Sequence, residues 1–369
     1  MSKLEKLIAE LCPDGVEYKS IREIAEVGTG NSNGNESVDN GLFPFFVRSQ
    51  TIKSKDDYEY DEEAIIIPGE GGIGEIFHYI NGKYALHQRV YRIHFIVEDV
   101  NTKFAYYYMQ AYFKPFILKK AVSATVTSIR KPMIEDFPLP VPPLPVQREI
   151  VRILDNFTEL TTELTTELTA RRKQYEYYRD ALLTASDNIE YQTLPEISEN
   201  LDRQRKPVTK GNREAGEYPY YGASGIVDYV SDYIFDGDYL LVSEDGANLL
   251  ARSTPIAFSI SGKNWVNNHA HVLKFDTAIM QKYVEIYLNS IDLSKYISGG
   301  AQPKLNQDNL NKIPIPVPPF NKVKIIVAIL EKFSALCNDL TSGLPAEIEA
   351  RKKQYEYYRD KLLTFQAVE

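Results

Sequence analysis

The stretch KQYEYYRD occurs twice in the chain, at Lys173–Asp180 and at Lys353–Asp360. Eight identical residues within 369 indicate an internal duplication, because unrelated segments do not match at this length. In both places aromatic and apolar residues recur every three or four positions, which is the spacing of one face of an α-helix. The stretch therefore predicts the same helix twice and a chain built from two copies of one unit.

The duplication extends well beyond the octapeptide. Three further pairs of segments match in the same order: VEYKSIREIAE (Val16–Glu26) with IEYQTLPEISE (Ile189–Glu199), GLFPFF (Gly41–Phe46) with GEYPYY (Gly216–Tyr221), and FPLPVPPLPVQREIVRILDNF (Phe137–Phe157) with IPIPVPPFNKVKIIVAILEKF (Ile313–Phe333). Each copy thus has a variable first part and a similar second part. The prolines fall where a strand gives way to a helix, because proline ends a sheet and can open a helix.

The second part of each copy predicts a helix of roughly forty residues, on the order of 60 Å long. Its narrow apolar stripe favours an antiparallel coiled coil between the two copies. Copy one contains LTTELTTELTA, a repeat of four residues, for which a solvated helix is the plain alternative. In copy two Gly343 and Pro345 predict a kink or a break, since glycine favours helix ends and proline helix starts.

The variable parts read as short strands bounded by turns, each closed by a small helix such as FAYYYMQAYF or QKYVEIYLNSI. The predicted fold class is α+β, with two similar mixed α/β recognition domains joined by two long antiparallel helices. The predicted boundaries are a first domain at 1–143, a first helix at 144–185, a second domain at 186–319 and a second helix at 320–369.

No catalytic constellation is visible. PGEGGIG (Pro68–Gly74) contains G-x-G-x-x-G, but strand-like residues follow it where a phosphate site needs a helix, so a turn is favoured. His269 and His271 make a weak metal signal, for which a hydrogen-bonded pair is the favoured alternative. Two cysteines without a CxxC pair and no signal peptide favour a cytoplasmic protein. The net charge of −9 taken alone points away from nucleic acid, although net charge does not fix local charge.

This arrangement resembles the specificity (S) subunits of type I restriction–modification enzymes. The resemblance rests on the doubled KQYEYYRD-x-LLT, the doubled P-x-P-x-P-P junctions, and the segments YPYYGASGIVDY, NNHAHVL and GGAQPKLNQDNL. It implies a subunit without catalytic activity whose two target recognition domains each read one half of a split DNA sequence. It also implies that the TTEL tract (Leu160–Leu168) acts as a ruler for the gap between the half-sites.

The resemblance further implies partners and cofactors. Two modification subunits would dock on the helices and bring S-adenosylmethionine, and restriction subunits would bring ATP and magnesium, so that this chain needs no cofactor of its own. The charged residues that flank the helix tyrosines are the predicted partner contacts: Glu176, Arg179, Glu356 and Arg359. Tyr175, Tyr178, Tyr355 and Tyr358 are expected to fill the helix seam.

Polar loop side chains are the predicted base readers, because Asn and Gln suit adenine edges and Arg suits guanine. In copy one they are Ser49, Gln50, Gln88, Arg89, Thr127, Arg130 and Lys131. In copy two they are Arg213, Asn248, Arg252, Asn267, Asn268, Gln302, Lys304 and Asn306. The alternative for each is a turn or a solvated side chain.

Two other functions stay open from the sequence. One is a coiled-coil scaffold that joins two protein-binding domains without touching DNA. The other is a methyltransferase with its own recognition domains, although no S-adenosylmethionine fold and no (N/D)PP(Y/F) motif is visible.

Overall fold

The helices and strands follow the two copies in order along the chain. The structure is a computed structural model, and it describes residues 2–120, 128–184, 189–299 and 302–368. Its α-helices are α1 Lys3–Leu11, α2 Ile21–Ile24, α3 Thr102–Lys120, α4 Lys131–Glu135, α5 Leu144–Thr184, α6 Leu194–Ile197, α7 Asn248–Ala251, α8 Ala278–Ser290, α9 Gln307–Leu310, α10 Phe320–Asn338 and α11 Leu344–Leu362. Its β-strands are β1 Tyr18–Ser20, β2 Ala25–Thr29, β3 Phe43–Phe46, β4 Lys53–Lys55, β5 Tyr60–Pro68, β6 His78–Leu86, β7 Val90–Phe95, β8 Pro138–Pro140, β9 Glu190–Gln192, β10 Glu199–Asn200, β11 Ala215–Gly222, β12 Gly225–Val230, β13 Phe235–Asp236, β14 Tyr239–Ser243, β15 Ala257–Ile260, β16 Lys263–Val266, β17 Ala270–Lys274 and β18 Ile315–Val317.

The chain divides into two units. Unit 1 comprises Met1–Thr165 and Glu347–Glu369, and unit 2 comprises Thr166–Ala346. Each unit therefore holds one recognition part together with helical residues from both copies.

The predicted bounds at 144–185 and 320–369 treated the long helices as parts of their own, and they stay a prediction. Each unit includes part of α5 because the apolar stripe of that helix is buried in both cores. Ile150 and Leu154 of α5 are fully buried in the core of unit 1, and Leu183 of the same helix lies in the core of unit 2. One face of α5 is thus covered by a different core along each half of its length.

Unit 1 contains a six-stranded mixed sheet in the order β2-β7-β5-β6-β3-β4. The β3–β6 pair is parallel and the other pairs are antiparallel. The apolar run of β5 is explained by burial on both faces of the sheet. Ile65 and Ile67 lie in the main core with α3, whereas Ile66 lies in a second cluster on the opposite face.

Unit 2 repeats this plan with its sheet split in two, in the orders β10-β17-β14-β15 and β12-β11-β16-β13. The strand equivalent to β6 is broken into β15 and β16 at Gly262, whose φ of 73° favours glycine. The helix α8 covers the sheet as α3 does in unit 1. The predicted α+β class with two similar mixed domains is confirmed.

The proline-rich junctions have the same structure in both copies. The strand β1 pairs with β8 in unit 1, and β9 pairs with β18 in unit 2, both antiparallel. A single helical turn follows β1 and β9, and each turn carries a capping box, Ser20 with Glu23 and Thr193 with Glu196. The prolines therefore end a short strand and lead into the long helix, as the sequence predicts.

The long helices pair in opposite chain directions. In unit 1 the ring of Phe157 on α5 stacks on Tyr358 of α11 at 5.5 Å between centroids. In unit 2 Tyr178 of α5 contacts Phe333 of α10 at 6.0 Å. The predicted interruption of the second helix lies between α10 and α11, where a Cβ on Gly343 would meet the carbonyl oxygen of residue 335 at 2.6 Å.

Candidate nucleic-acid interface

Three loop segments of unit 1 are joined by backbone hydrogen bonds through Gly69. Its N–H donates to the carbonyl of Arg89 at 2.9 Å, and its carbonyl accepts from the N–H of Ile129 at 2.7 Å. These bonds bring together the turn 69–74, the turn 87–89 and the segment 128–131. We call this set junction 1. The motif PGEGGIG forms its first turn with no following helix, which agrees with the turn interpretation.

Unit 2 contains the same arrangement at the equivalent positions. The N–H of Glu244 donates to the carbonyl of His269 at 2.9 Å, and the carbonyl of Glu244 accepts from Leu305 at 2.7 Å. The segments 244–247, 267–269 and 302–306 are joined in this way, and we call them junction 2. Two motifs far apart in the sequence, NNHAHVL and GGAQPKLNQDNL, therefore meet in one place.

In each junction a carboxylate is paired with a nitrogen-bearing side chain at the same position. In junction 1 a guanidinium nitrogen of Arg89 lies 3.0 Å from Glu70, and Arg48 approaches the same carboxylate at 2.8 Å. In junction 2 Nδ1 of His269 lies 2.8 Å from Asp245. The hydrogen bonds from Arg89 and Arg48 lower the pKa of Glu70, so this half-buried carboxylate stays ionised between two arginines.

The loop GTGNSNGNES joins junction 1 through a close backbone approach. A Cβ on Gly30 would lie 1.8 Å from the carbonyl oxygen of Leu86, so the position admits only glycine. Two residues later the N–H of Ser32 donates to the same carbonyl at 3.3 Å, and Ser32 accepts from the N–H of Gln88 at 3.0 Å. The amide of Gln88 also donates to Asn33 at 2.8 Å. This loop therefore holds the candidate reader Gln88 in place.

The buried side chain of His87 holds the backbone of junction 1 through a hydrogen bond. It is buried, and its Nδ1 accepts from the backbone N–H of Arg89 at 3.0 Å. Burial lowers the pKa of His87, and the charges of Arg48 and Arg89 lower it further. The ring is therefore neutral at pH 7 and orients the Arg89 backbone.

A buried polar network supports junction 2. His271 lies 2.6 Å from Asp202 through Nδ1 and 2.7 Å from the carbonyl oxygen of Leu305 through Nε2. Arg205 bonds Glu244 at 2.6 Å. Burial raises the pKa of Asp202, but hydrogen bonding and charge from His271 outweigh it, so the net pKa is lowered.

The same network contains a group of residues that could in principle hold a metal ion. Asp202, Glu244 and His271 could supply metal ligands by distance, since their ligand atoms lie within 4.8 Å of one another. However, both carboxylates are bonded by Arg205, and Lys304 lies 3.1 Å from Glu244. The protein's own cations thus occupy the positions around these carboxylates, and the cluster fixes the fold of junction 2. His269 lies apart on Asp245, so the two histidines do not share a partner.

The structure brings most of the predicted base readers to the junctions. Those exposed in the junction segments are Gln88, Arg89, Arg130, Lys131, Asn268, Gln302 and Lys304. Gln50 is also exposed, but it lies along a groove of unit 1 with His78 and Thr158. Ser49 lies next to Arg48 and bonds the Thr51 carbonyl in a turn. Asn267 is buried and accepts from the N–H of His269, and Asn306 caps α9. Their assignment as base readers stays a prediction, and the turn and cap bonds match the stated alternative for the last three.

Three predicted readers of unit 2 lie outside junction 2. Arg213 bonds Asp228 at 3.0 Å and covers the ring of Tyr220. Asn248 accepts from the backbone N–H of Thr254 and closes its own turn. Arg252 donates to the carbonyl of residue 289 at 2.9 Å, at the C-terminal end of α8. All three side chains are therefore used in contacts within unit 2. Thr127 lies outside the described residues.

Sequence reasoning missed the acidic partners and one arginine of the junctions. Arg48, Glu70 and Asp245 were not among the predicted residues, although Arg48 adjoins Ser49 and Glu70 lies within the motif Pro68–Gly74. The available signal was the duplication itself. Aligning the two copies pairs Glu70 with Asp245 and Arg89 with His269, and it shows a carboxylate facing an arginine in one copy and an imidazole in the other.

The octapeptide presents the same face in both copies. Tyr175 and Tyr355 pack against the cores, as predicted. Glu176 and Glu356 are exposed, but Arg179 and Arg359 are not the outward residues that the sequence suggested. Each arginine is half-buried, bonds the aspartate that follows it and lies over the ring of the tyrosine four residues before it. Because each guanidinium lies over a tyrosine ring, part of the arginine's charged group is covered and is not presented to solvent.

Comparison with known proteins agrees with this organisation. The family described as type I restriction modification DNA specificity domain matches the chain twice, at residues 13–171 and 186–350. A chain named as a type I restriction enzyme specificity subunit of Haemophilus influenzae is 30% identical over 98% of both chains. The specificity subunit of the Escherichia coli enzyme EcoR124I/EcoR124II is 34% identical over 62% of this chain and 63% of its own length.

Solved structures show the same fold. An S subunit of a type I restriction–modification system from M. genitalium superposes with a TM-score of 0.59 at 17% identity, covering 94% of this chain and 95% of its own. A chain from a study of complex assembly in the type I system gives 0.63 at 14% identity, covering 95% and 98%. Among the described residues, no helix is both long and apolar enough to cross a membrane. The chain belongs to the type I restriction–modification specificity subunits, a family whose role is the recognition of a DNA target.

Proposed function

We propose that junction 1 and junction 2 each read one half of an asymmetric, bipartite DNA target. The observation that carries this proposal is the shared backbone arrangement: the same two hydrogen bonds, at 2.9 and 2.7 Å, hold different side chains in each unit. A constant frame with variable side chains suits recognition of two different sequences. Gln88 and Arg89 in one junction and Asn268 and Lys304 in the other offer different donors and acceptors to base edges.

The excess of acidic residues in both recognition parts suggests that partner subunits supply part of the contacts to DNA phosphates. Residues 1–136 contain 16 basic and 20 acidic residues, and residues 186–312 contain 12 and 17. Phosphate contacts supply much of the affinity for DNA, and they need Lys and Arg. The isolated chain should therefore bind DNA weakly, with the modification subunits supplying further cations. Nanomolar specific binding by the isolated chain at physiological salt, measured by filter binding, would contradict this point.

The paired helices are proposed to set the distance between the half-sites. The TTEL tract lies inside the unbroken helix α5, where threonine hydroxyls bond the carbonyl four residues before, as Thr161 does to residue 157 at 2.9 Å. Four added residues lengthen a helix by about 6 Å and rotate it by roughly 40°, close to the twist of one base pair at about 10.5 pairs per turn.

The helices also provide the proposed docking sites for two modification subunits. The octapeptide repeats its burial pattern residue by residue in both copies, with Glu176 and Glu356 exposed at the same place. Two identical surfaces suit two copies of one partner. On this proposal the chain is not an enzyme. S-adenosylmethionine, ATP and magnesium belong to the partner subunits, and the complex works in the cytoplasm on DNA.

Methylation mapping in cells that carry the chain with its partner subunits tests the proposal. The chain should direct methylation to one bipartite sequence with two unlike halves. Insertion of one further TTEL unit after Leu168 should lengthen the gap by about one base pair and leave both halves unchanged. An altered half-site together with the original gap would contradict the ruler, and methylation unaffected by loss of the chain would contradict the recognition role.

A further inference from the structure

The carboxylate of Glu70 in junction 1 accepts hydrogen bonds from two arginines. Its Oε2 accepts from Nη1 of Arg48 at 2.8 Å and from Nη1 of Arg89 at 3.0 Å, and its Oε1 accepts from the same Nη1 of Arg89 at 3.0 Å. A carboxylate offers about four acceptor positions, two on each oxygen. The described residues use three of them, which leaves one acceptor position on Oε1.

Arg89 keeps two donor groups beside this acceptor. Within residues 2–120, 128–184, 189–299 and 302–368, its Nε and Nη2 have no hydrogen-bond partner, because only Nη1 bonds Glu70. The Arg89 side chain is 57% exposed and that of Glu70 is 37% exposed. Nε and Nη2 lie on one edge of the planar guanidinium and donate in parallel. A pair of parallel donors next to one acceptor is therefore accessible from outside the chain.

The backbone fixes both members of this pair. Glu70 follows Gly69, whose N–H donates to the carbonyl of Arg89 at 2.9 Å. The N–H of Arg89 donates to Nδ1 of the buried His87 at 3.0 Å. Side chains that are ordered before binding lose less conformational entropy on binding, so they discriminate between ligands by geometry. The pair is therefore suited to reading one particular pattern of donors and acceptors.

That pattern matches one kind of base pair. In the major groove a G·C pair presents the acceptors N7 and O6 of guanine and the donor N4 of cytosine. An A·T pair presents the donor N6 of adenine and the acceptor O4 of thymine. On A·T, N6 would meet the donors of Arg89, and O4 would meet the carboxylate of Glu70, so both contacts would be repulsive.

We propose that Arg89 and Glu70 together read one G·C pair in the half-site of junction 1. Arg89 donates to O6 and N7 of the guanine, and Glu70 accepts from N4 of the paired cytosine. The proposal rests on the function proposed above, since it requires that junction 1 reads a half-site, and it deepens that function by naming a base pair and the two side chains that read it.

A contact with a DNA phosphate fits the pair less well. Phosphate contacts need cations, but here the ionised carboxylate of Glu70 lies 3.0 Å from the guanidinium of Arg89 and would repel a phosphate. The edge of guanine is neutral and leaves Glu70 a donor on the cytosine. The carboxylate is therefore unfavourable beside the DNA backbone and favourable at a base edge.

The equivalent place in junction 2 has different chemistry. The alignment of the copies pairs Arg48 with Ala223 and Arg89 with His269, so neither guanidinium is present there. His269 uses Nδ1 for Asp245 at 2.8 Å and has one further ring nitrogen, in place of the two parallel donors of Arg89. The match to a G·C pair is therefore confined to junction 1, which agrees with two unlike half-sites.

The test uses the full chain in complex with its partner subunits and duplexes that carry the mapped target. Each guanine of the target is replaced in turn by 7-deazaguanine, which lacks the N7 acceptor, and binding is measured by fluorescence anisotropy. At one position of one half-site the replacement should weaken binding by the unchanged chain about five- to tenfold. At that position it should have no effect on binding by Arg89→Ala.

Methylation of a randomised library measures base preference in the same complexes. Arg89→Ala should relax the G·C preference at that position about ten- to a hundredfold and leave the other half-site unchanged. Glu70→Gln should narrow the preference for G·C over A·T, because its amide can also donate to O4 of thymine. Arg22→Ala is the matched control. Arg22 is a 59% exposed arginine of unit 1 that pairs with Asp136 at 2.8 Å outside the junctions, and its variant should keep every preference.

The results that would overturn the proposal are distinct. A bipartite target in which no G·C preference depends on Arg89 would overturn this assignment and leave bipartite recognition standing, whereas a target without two halves would overturn both. Equal loss of affinity for all sequences in Arg89→Ala, with the slope of log affinity against log salt reduced by about one, would assign Arg89 to a phosphate. If Arg89→Ala lost binding through misfolding, the 7-deazaguanine series with the unchanged chain would still decide, and its lack of effect at every position would refute the assignment.

Discussion

Substitution of Gly30 by alanine should disable junction 1 and leave junction 2 intact. The added Cβ would lie 1.8 Å from the carbonyl oxygen of Leu86, whereas carbon–oxygen contacts normally begin near about 3.3 Å. The loop must therefore move by about 1.5 Å. That movement breaks the two backbone bonds that join Ser32 to Leu86 and to Gln88. Two lost bonds and the strain together should cost about 2–4 kcal/mol of the free energy of unfolding.

Gly34→Ala is the matched control in the same loop. Its nearest neighbour would be the His87 ring at 3.8 Å, an ordinary contact, so stability should change by no more than about 0.5 kcal/mol. Urea unfolding measures the stability of each variant. Selection from a randomised DNA library, with partner subunits present, measures recognition. Gly30→Ala should lose base preference in one half-site only. Equal stability of the two variants, or loss in both half-sites, would refute the reasoning.

Two further changes test the packing of the units. Glu149→Gln should lower the free energy of unfolding by about 1 kcal/mol at pH 7, because its cationic partners are largely exposed. Hydrogen bonds from Arg152 and then Lys3 lower the pKa of Glu149 to about 2. The stabilisation is therefore present above pH 4.5 and is lost as pH falls towards 2, so urea curves of the variant and the unchanged chain should converge there. Tyr283→Phe should stabilise unit 2 by about 1 kcal/mol in thermal melts, because its buried hydroxyl lacks a hydrogen-bond partner among the described residues.

The repeat made most of the fold predictable. The three-to-four-residue spacing of apolar residues and the prolines before it predicted that α5 begins at residue 144. The break in the second helix follows from Gly343 and Pro345. The division into units was not predictable, because burial of α5 depends on cores formed by residues far away in the chain. Nor was the split of one strand at Gly262, since the equivalent Gly82 lies within an unbroken strand.

The sequence indicated which types of residue lie at the two junctions, but not the role of each residue there. Several of the polar residues chosen from the sequence lie in the loops that meet at the junctions, and their role as base readers stays a prediction. Sequence could not tell which of them are used internally. Arg252 takes a left-handed backbone conformation with φ of 50° and points at the end of α8. The sequence around Asn306 does not distinguish a base-reading side chain from one that caps a helix. These distinctions depend on long-range contacts.

The identity of the two octapeptides has a packing explanation for only some of its residues. Tyr175 and Tyr355 pack on cores, so equivalent cores can require the same side chain. Tyr177 and Tyr357 are 70% and 63% exposed, and packing gives them no reason to match. A partner that meets both copies gives that reason. The double change of Tyr177 and Tyr357 to alanine should therefore leave urea unfolding within about 0.5 kcal/mol of the unchanged chain.

The same double variant should weaken capture of the modification subunit, measured by co-purification, at least tenfold, because exposed tyrosines are frequent anchors in interfaces. Tyr175→Ala is the contrasting change. It should destabilise unit 2 by about 2–4 kcal/mol, since it removes an aromatic side chain that packs on the core. If the double variant captures the modification subunit as well as the unchanged chain does, the exposed tyrosines have no docking role, and the duplication was retained for its half-buried positions alone.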